Sequence, residues 1–328
     1  MPAEDARQLG VERLLFLGSL TSRPNGPAAV QIAAAMRDLH YEREQRLFAI
    51  GDASPDVFFV VSGSVRMTAP DAAPWTFEAP AVIGALDAFA GRPRTRTAVA
   101  TSDVHALALA HTDWLVVLEE HFDFARETLL RIAGSLERMH LGLADDGGYP
   151  PPTRAEGPIA AGQNLLDKTR ALRRLPSFRE AGVQAALRLA ELADERLLAP
   201  GEALFREGDP CDTLDAVVGG LLEIERAEPP LRAAFGPGSL VGGAATIAVQ
   251  RAAFTARAAE ASLVLRMRKD DVFDVMEDHF ALTRAILASV NDERSALMAR
   301  HGNVDDRAGL GSHAGPASVG PASSAVRR

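Results

Sequence analysis

The sequence has a single cysteine and few aromatic residues, and it lacks long apolar runs. Among its 328 residues only Cys211 could enter a disulfide, so an internal disulfide framework is excluded and a reducing compartment is expected. No apolar run approaches the roughly 18 residues that cross a membrane. The acidic N-terminal segment has no apolar core of the kind found in signal peptides. These absences predict a cytoplasmic protein without a membrane span.

Positive charge and catalytic motifs are also scarce. The chain carries 35 Lys and Arg against 44 Asp and Glu, a net charge of −9, which disfavours a broad nucleic-acid-binding surface. No Ser-His-Asp, Walker or dinucleotide fingerprint stands out. His105 and His111 flank an apolar strand, but their spacing along a strand places them about 20 Å apart, too far to share a metal. We therefore expect a protein that is not an enzyme, holds no metal and does not bind nucleic acid directly.

What the sequence does contain alternates between helical and strand patterns. Apolar spacing predicts a helix over Ala28–Leu39, and glycine-punctuated runs of β-branched and aromatic residues from Arg46 onward predict short strands. Apolar residues then step by three and four from Phe122 to Leu143, which predicts a long helix. The Pro/Gly-rich stretch 144–160 forbids a continuous helix and is predicted to be a linker.

After this linker the same order of patterns returns, and it can be checked by position. One group of residues recurs 157 positions later: Leu47, Phe48, Gly51, Asp52 and Gly63 become Leu204, Phe205, Gly208, Asp209 and Gly220. A second group recurs 158 positions later: Gly84, Thr97, Ala100, Phe122 and Leu129 become Gly242, Thr255, Ala258, Phe280 and Leu287. A constant offset with one single-residue slip indicates an internal duplication whose unit is a whole domain.

Each unit resembles the cyclic-nucleotide-binding domain family. The segments that carry the resemblance are GALDAFAGRPRTRTAVA in the first copy and LAPGEALFREGDPCDTLDAVVGG in the second. The resemblance implies a mainly β protein of two tandem eight-stranded β-rolls (jelly-rolls), each with N-terminal helices and a C-terminal lid helix. The expected divisions are a first domain over 1–143, the linker 144–160, a second domain over 161–300 and a disordered tail over 301–328.

The family binds its ligand in a phosphate-binding cassette, which falls here on residues 83–100, the first cassette. In the family a glutamate follows the glycine and binds the ribose 2′-hydroxyl, and a Pro-Arg pair places arginine on the cyclic phosphate. Here Ala85 replaces the glutamate, Arg94 keeps the phosphate position, and Arg96 replaces a small residue. The implied ligand-binding residues are Gly84, Ala85, Leu86, Arg94, Thr95 and Arg96. An alternative from the residues alone is a solvated basic loop, paired with Asp87 or with distant carboxylates.

The corresponding second cassette, residues 241–258, departs further from the family pattern. The glutamate position is Gly243 and the arginine position is Ala252, while Arg251 lies one residue early and Phe254 could fill the pocket. The residues implied for a second, weakened site are Gly242, Gly243, Ala244, Arg251 and Ala252.

Two functions remain open on the sequence. One is a regulatory sensor whose Arg94 binds a cyclic nucleotide or another small phosphate-bearing anion and shifts the lid helix, without any other cofactor. The other is a ligand-free pseudo-sensor that acts as a scaffold for a protein partner. The lid helix Phe122–Leu143 is expected to pack either on its own roll, or on the other domain or a sister chain, which allows a homodimer. The Gly-, Ala- and Ser-rich stretch after His301 is too short for a helix-turn-helix.

Overall fold

The computed structural model describes residue 13 and residues 26–70, 72–89, 91–143, 145–154 and 162–301. The tail predicted to be disordered therefore lies outside the described residues from residue 302 onward. In the described residues, no helix is both long enough and apolar enough to cross a membrane.

The first half of the chain forms a β-roll of two four-stranded antiparallel sheets. Their strand orders are β1-β8-β3-β6 and β2-β7-β4-β5. Alternating inward residues of both sheets, including Phe48, Phe58, Val65 and Ala108, form the core inside the roll. The strands are β1 Arg37–Tyr41, β2 Arg46–Phe48, β3 Asp56–Ser62, β4 Ser64–Ala69, β5 Ala72–Glu78, β6 Ala81–Ile83, β7 Thr97–Ala100 and β8 Val104–Ala110.

The second half repeats this topology, as the duplication predicts. Its sheets have the orders β9-β15-β11 and β10-β14-β12-β13, which correspond to those of the first roll strand for strand. The equivalent of β6 is reduced to one antiparallel bridge between Ala216 and Leu240, so the second roll has seven strands. The strands are β9 Asp194–Leu198, β10 Ala203–Phe205, β11 Thr213–Gly219, β12 Leu222–Arg226, β13 Leu231–Phe235, β14 Thr255–Ala258 and β15 Ser262–Arg268.

Helices flank each roll on the side of its cassette. The predicted helix over Ala28–Leu39 is wrong in its second part, because the helix ends at Ala35 and Arg37–Tyr41 pairs with β8 instead. Tertiary strand pairing there overrides a helical apolar spacing. The helices are α1 Pro27–Ala35, α2 Ala85–Phe89, α3 His111–Glu120, α4 Phe122–Gly142, α5 Leu165–Leu172, α6 Pro176–Arg179, α7 Val183–Leu192, a 3₁₀ helix Ala244–Ala248, α8 Lys269–Asp278 and α9 Phe280–His301.

The two lid helices, α4 and α9, cross between the domains. Helix α4 packs on the 3₁₀ helix of the second cassette, and α9 contacts α2 of the first cassette as well as α4. Leu129, Leu136 and Met139 of α4 and Leu287 of α9 belong to one buried cluster that includes residues of both halves. Of the two arrangements considered for α4, the structure therefore shows contact with the other domain of the same chain.

The segment predicted to be a linker is in contact with the second roll where it is described. Asp145 forms a parallel bridge with Leu231, and Tyr149 is 5% exposed within the core of the second roll. The boundaries of this linker, and the domain limits on either side, stay a prediction.

Candidate functional site

The first cassette begins at a glycine that its surroundings require. Gly84 follows β6 with φ +77°, and a Cβ at this position would lie 2.6 Å from Nη1 of Arg94. Ala85 then opens α2 and is half-buried, and Leu86 follows it in the same helix. The glycine thus allows the arginine side chain to approach the cassette backbone, which a larger residue would prevent.

Arg94 lies inside the first roll and is only 2% exposed. Its Nη1 donates to the Gly84 carbonyl at 2.5 Å, and its Nη2 donates to the Asp56 carbonyl at 2.5 Å. The guanidinium also lies over the ring of Phe48, with its Cζ 4.3 Å from the ring centroid, and 5.7 Å from that of Phe58. Cation–π contacts of this kind contribute most where water is excluded.

The charge of Arg94 is not neutralised by an ion pair. Its partners are two carbonyls and two aromatic rings, its buried Nε has no hydrogen-bond partner, and no carboxylate among the described residues forms a salt bridge with it. Burial lowers the pKa of Arg94, while Asp87, Asp56 and Asp52 act in the opposite direction from a distance. A buried cation without a directly bonded anion is an unfavourable arrangement that a bound anion would relieve.

Asp87 holds the loop that carries Arg94. This carboxylate is 2% exposed and accepts the backbone N–H and the hydroxyl of Thr95, both at 2.9 Å. It also accepts Nε of Arg92 at 3.2 Å. The alternative that the basic loop pairs with carboxylates is thereby confirmed for Arg92, although not for Arg94.

Arg92 connects the first cassette to the lid helix of the second domain. Its Nη1 donates to Asp292 of α9 at 2.8 Å, and its Nη2 lies 3.4 Å from the hydroxyl of Ser295. Because Asp87 also binds Arg92, a movement of the cassette loop would be transmitted to α9 through a short chain of hydrogen bonds.

Arg96 is buried like Arg94 but packs on a different part of the roll. It is 9% exposed, its Cζ lies 5.8 Å from the centroid of the Trp75 ring, and its Nη1 lies 3.4 Å from the Thr95 hydroxyl. The structure therefore brings Gly84, Arg94 and the opening of α2 together, while Arg96 stands over Trp75.

The second cassette is organised around a carboxylate from α9. Gly243 has φ +74°, and a Cβ there would lie 2.5 Å from Oε1 of Glu293. The N–H of Ala244, which opens the 3₁₀ helix, donates to Oε2 of Glu293 at 3.2 Å. Where the family resemblance leads one to expect a cassette glutamate, this chain has a glycine that makes room for the glutamate of the lid helix.

Glu293 is in turn bound by a buried histidine that sequence reasoning missed. His140 of α4 is fully buried, with Nδ1 2.7 Å from the Gly147 carbonyl and Nε2 3.1 Å from Oε1 of Glu293. Its ring stacks on Tyr149 at 4.1 Å, and the Tyr149 hydroxyl donates to the Gly242 carbonyl at 3.3 Å. Burial raises the pKa of Tyr149, so the phenol keeps the proton that it donates.

The remaining predicted residues of the second cassette lie apart from this cluster. Arg251 is exposed, and its Nη1 donates to the Gly208 carbonyl at 2.9 Å, whereas Ala252 is buried. Phe254 is 5% exposed, in the core of the second roll. Within the described ranges, no three His, Cys, Asp or Glu side chains are grouped so as to hold a metal.

Comparison with known proteins identifies the same domain family in each of the two copies. The sequence pattern of the cyclic nucleotide-binding domain matches residues 38–121 and again residues 195–279. The two matches together span just over half of the chain. No curated protein sequence matches the chain.

Several solved structures are similar to the chain. The regulatory domain of Toxoplasma gondii PKA, solved with cAMP, is 14% identical over 90% of this chain and 97% of that chain, with a TM-score of 0.32. The regulatory subunit of a cAMP-independent protein kinase A from Trypanosoma cruzi, bound to guanosine, is 16% identical over 84% and 89%, with a TM-score of 0.32. The N-terminal domain of a transcriptional regulator from Streptomyces coelicolor A3(2) is 26% identical over 38% and 92%, with a TM-score of 0.35.

Proposed function

Because the chain belongs to the cyclic nucleotide-binding domain family, we propose that it is a non-enzymatic regulatory sensor. Its first roll binds a cyclic nucleotide or another small phosphate-bearing anion through Arg94. The observation that carries this proposal is the buried guanidinium of Arg94, which has an unbonded Nε and forms no ion pair with a carboxylate in the part of the chain that the structure describes.

Binding of the anion changes the partners of Arg94. The guanidinium now donates to the carbonyls of Gly84 and Asp56, and a phosphate would replace one or both of these neutral acceptors with a charged one. Because the guanidinium is a charged donor in either case, the gain comes from the Coulomb attraction of an anionic acceptor, which is strong in a buried site. Since Gly84 immediately precedes α2, the exchange displaces the start of that helix.

The second domain receives this displacement through α9. Helix α2 contacts α9, and Arg92 joins Asp87 of the cassette to Asp292 of the lid helix. Helix α9 also carries Glu293, which binds the second cassette and His140 of α4. A ligand in the first roll thus shifts the packing of both lid helices, and this shift is the output that a protein partner reads.

The ligand preference should differ from that of the family. Ala85 stands where the family has a glutamate for the ribose hydroxyl, and loss of such a charged hydrogen bond weakens binding by about 1.5–3 kcal/mol, about tenfold to over a hundredfold. The first roll therefore recognises the phosphate more strongly than the ribose.

A ligand-free pseudo-sensor, acting as a scaffold, is the second candidate function. It is favoured by the same arginine, because Arg94 already has two carbonyl acceptors and fills the space beneath the cassette.

Direct nucleic-acid binding remains unexpected at a net charge of −9. A homodimer would have to use residues of the lid helices other than Leu129, Leu136 and Met139, since these are buried within the chain. Cytoplasmic localisation stays a prediction.

Isothermal titration calorimetry of the full chain with cyclic mono- and dinucleotides and inorganic phosphate separates the two functions. The sensor predicts saturable binding that Arg94→Ala weakens at least about tenfold. The matched control is Arg251→Ala, which removes the exposed arginine of the second cassette and should leave the affinity unchanged. Circular dichroism checks that each variant is folded. Arg94→Lys, which keeps the positive charge but removes the guanidinium, separates the effect of the charge from that of the guanidinium. Absence of binding by every probe would rule out the sensor and leave the scaffold.

A further inference from the structure

The second roll contains a cavity near the position that corresponds to the Arg94 guanidinium of the first roll. The cavity measures about 320 Å³ and lies between β11, β15, the 3₁₀ helix and the loop before β11. Four residues contact the Arg94 guanidinium, and the equivalent of one of them, Gly84, is Gly242, which does not line the cavity. The other three are Phe48, Asp56 and Phe58. At the offset of 157 their equivalents are Phe205, Thr213 and Asp215, and all three line the cavity.

The side chain next to the cassette glycine differs between the two rolls. A Cβ on Gly84 would lie 2.6 Å from Nη1 of Arg94, whereas a Cβ on Gly242 would lie 2.8 Å from Cζ of Phe254, so Phe254 takes the place of the guanidinium and the cavity lies beside it. The equivalent of Arg94 is Ala252, a buried residue that removes the whole guanidinium. The cavity volume of about 320 Å³ falls in the range of small-molecule sites, about 300–1,000 Å³. The position therefore differs from the first roll in shape as well as in charge.

An ion pair between β11 and β15, Asp215–Arg266, lines this cavity. In the first roll β3 and β8 place Phe58 opposite Ala108, and in the second β11 and β15 place Asp215 opposite Arg266. Asp215 is 4% exposed and binds Arg266 through Nε at 2.7 Å and Nη2 at 3.2 Å. An apolar pair of the duplicated unit has become a charged pair at the same register.

This pair still has hydrogen-bonding capacity for a ligand. The Asp215 carboxylate accepts two hydrogen bonds from Arg266 and one, at 3.3 Å, from the Thr213 hydroxyl. Because a carboxylate can accept about four hydrogen bonds, it can accept another from a ligand. Nη1 of Arg266 has no acceptor among the described residues, so two further N–H groups are available. A hydroxyl group can donate to such a carboxylate and accept from such a guanidinium.

The charges around the cavity disfavour an anion. The positive charge of Arg266 is matched by Asp215, and two exposed carboxylates, Asp209 and Asp212, also line the cavity. Among the described residues that line the cavity, Arg266 is the one cation against three carboxylates, so a phosphate would meet an excess of negative charge there. Lys269 lies behind the lining residue Cys211, with its Nζ bonded to the carbonyls of Cys211 and Val249. Phe205 adds an apolar surface on which the flat side of a ring could pack.

From this geometry we propose that the second roll binds a small neutral ligand rich in hydroxyl groups, such as a nucleoside or a monosaccharide, between Asp215 and Arg266. This site does not depend on anion binding by Arg94, and its residues differ from those of the second cassette named by the sequence. The duplication has therefore produced two rolls with different ligand chemistry.

Calorimetry with adenosine, ribose and cAMP tests the site, using the full chain in an Arg94→Ala background so that the first roll cannot contribute. Adenosine or ribose is expected to bind with one site, and cAMP at least about tenfold more weakly than adenosine because of its phosphate. Ala252→Arg, which restores the side chain of the first roll, should abolish this binding. Arg188→Ala, which removes an exposed arginine of α7 that does not line the cavity, is the control and should leave the affinity unchanged.

A second variant keeps the test valid if Ala252→Arg fails to fold. Asp215→Asn preserves the shape but leaves Arg266 unpaired, so adenosine should bind at least about tenfold more weakly and cAMP more tightly than before. Lack of binding by both neutral probes would overturn the proposal. It would also be overturned by adenosine binding that neither variant changes, or by a preference for cAMP in the Arg94→Ala background.

Discussion

The two rolls have one topology but use the space beneath the cassette in opposite ways. In the first, Arg94 fills that space and bonds to the carbonyls of Gly84 and Asp56. In the second, Phe254 lies next to the cassette glycine instead of an arginine, and the pair Asp215–Arg266 lines a cavity nearby. A duplicated scaffold can thus keep nearly all of its strand pairings, with the equivalent of β6 reduced to one bridge, while the polar groups of its interior move to different strands.

The cassettes also differ in where their carboxylate comes from. The first cassette has Asp87 within its own helix, bonded to Thr95 and Arg92. The second has Glu293 supplied by the lid helix α9. Both cassettes are thus bonded to α9, the first through the partly exposed pair Arg92–Asp292 and the second through Glu293, which binds the N–H of Ala244 directly.

The largest difference in stability between the two cassettes is expected when a glutamate is placed at the equivalent position of each. Gly243→Glu should destabilise the chain by about 3 kcal/mol, because its Cβ would meet Glu293 and its backbone has a positive φ. Ala85→Glu, at the half-buried start of α2, should change stability by less than about 1 kcal/mol. Urea denaturation of the two variants measures both effects, and equal costs would contradict the asymmetry.

A smaller loss of stability is expected when His140, which joins the two lid helices through Glu293, is removed. His140→Ala loses the stacking on Tyr149 and the contacts with Gly147 and Glu293, which should cost about 2 kcal/mol. Hydrogen exchange should rise in the 3₁₀ helix Ala244–Ala248 and in α9 near Glu293. His105→Ala, at a half-buried histidine of the first roll, is the control and should leave exchange in both segments unchanged. Unaltered protection in the His140 variant would show that this contact does not hold the second cassette.

The smallest effect on stability is expected at the contact between Arg92 of the first cassette and Asp292 of α9. Arg92 and Asp292 are partly exposed, with side-chain exposures of 34% and 55%, so Arg92→Ala should cost no more than about 1 kcal/mol. A double-mutant cycle with Asp292→Asn isolates their coupling, and Arg188→Ala, which removes an exposed ion pair within α7, provides the control. The Arg92 variant should nevertheless uncouple a ligand-induced change at the first cassette from hydrogen exchange in α9. Retained coupling would contradict the proposed route.

The sequence predicted the parts of the molecule that are repeated, and the distant contacts could not be obtained in the same way. The recurrence of Gly84 at Gly242 and the replacement of Arg94 by Ala252 can be seen in the sequence, and they locate both cassettes. Whether Arg94 faces solvent or the interior depends on Phe48 and Phe58, which only the closed roll brings to it.

Pairs between remote segments required the three-dimensional fold. Asp215 and Arg266 lie 51 positions apart and meet through the register of β11 and β15, which no local pattern defines. His140 and Glu293 lie 153 positions apart, on two lid helices that cross between domains. One signal was available in principle: at the duplication offsets, Asp215 and Arg266 both replace apolar residues, Phe58 and Ala108, which lie opposite each other.

The central claim is that Arg94 exchanges its carbonyl partners for a bound anion. NMR observation of the arginine Nε–H groups in the full chain during titration with cAMP and with inorganic phosphate tests it most directly, and Arg94→Lys identifies the Arg94 signal by its loss. The Arg94 signal is expected to shift saturably, while the signal of the exposed Arg251 stays unchanged. An Arg94 signal that stays constant through the titration with both probes would contradict it.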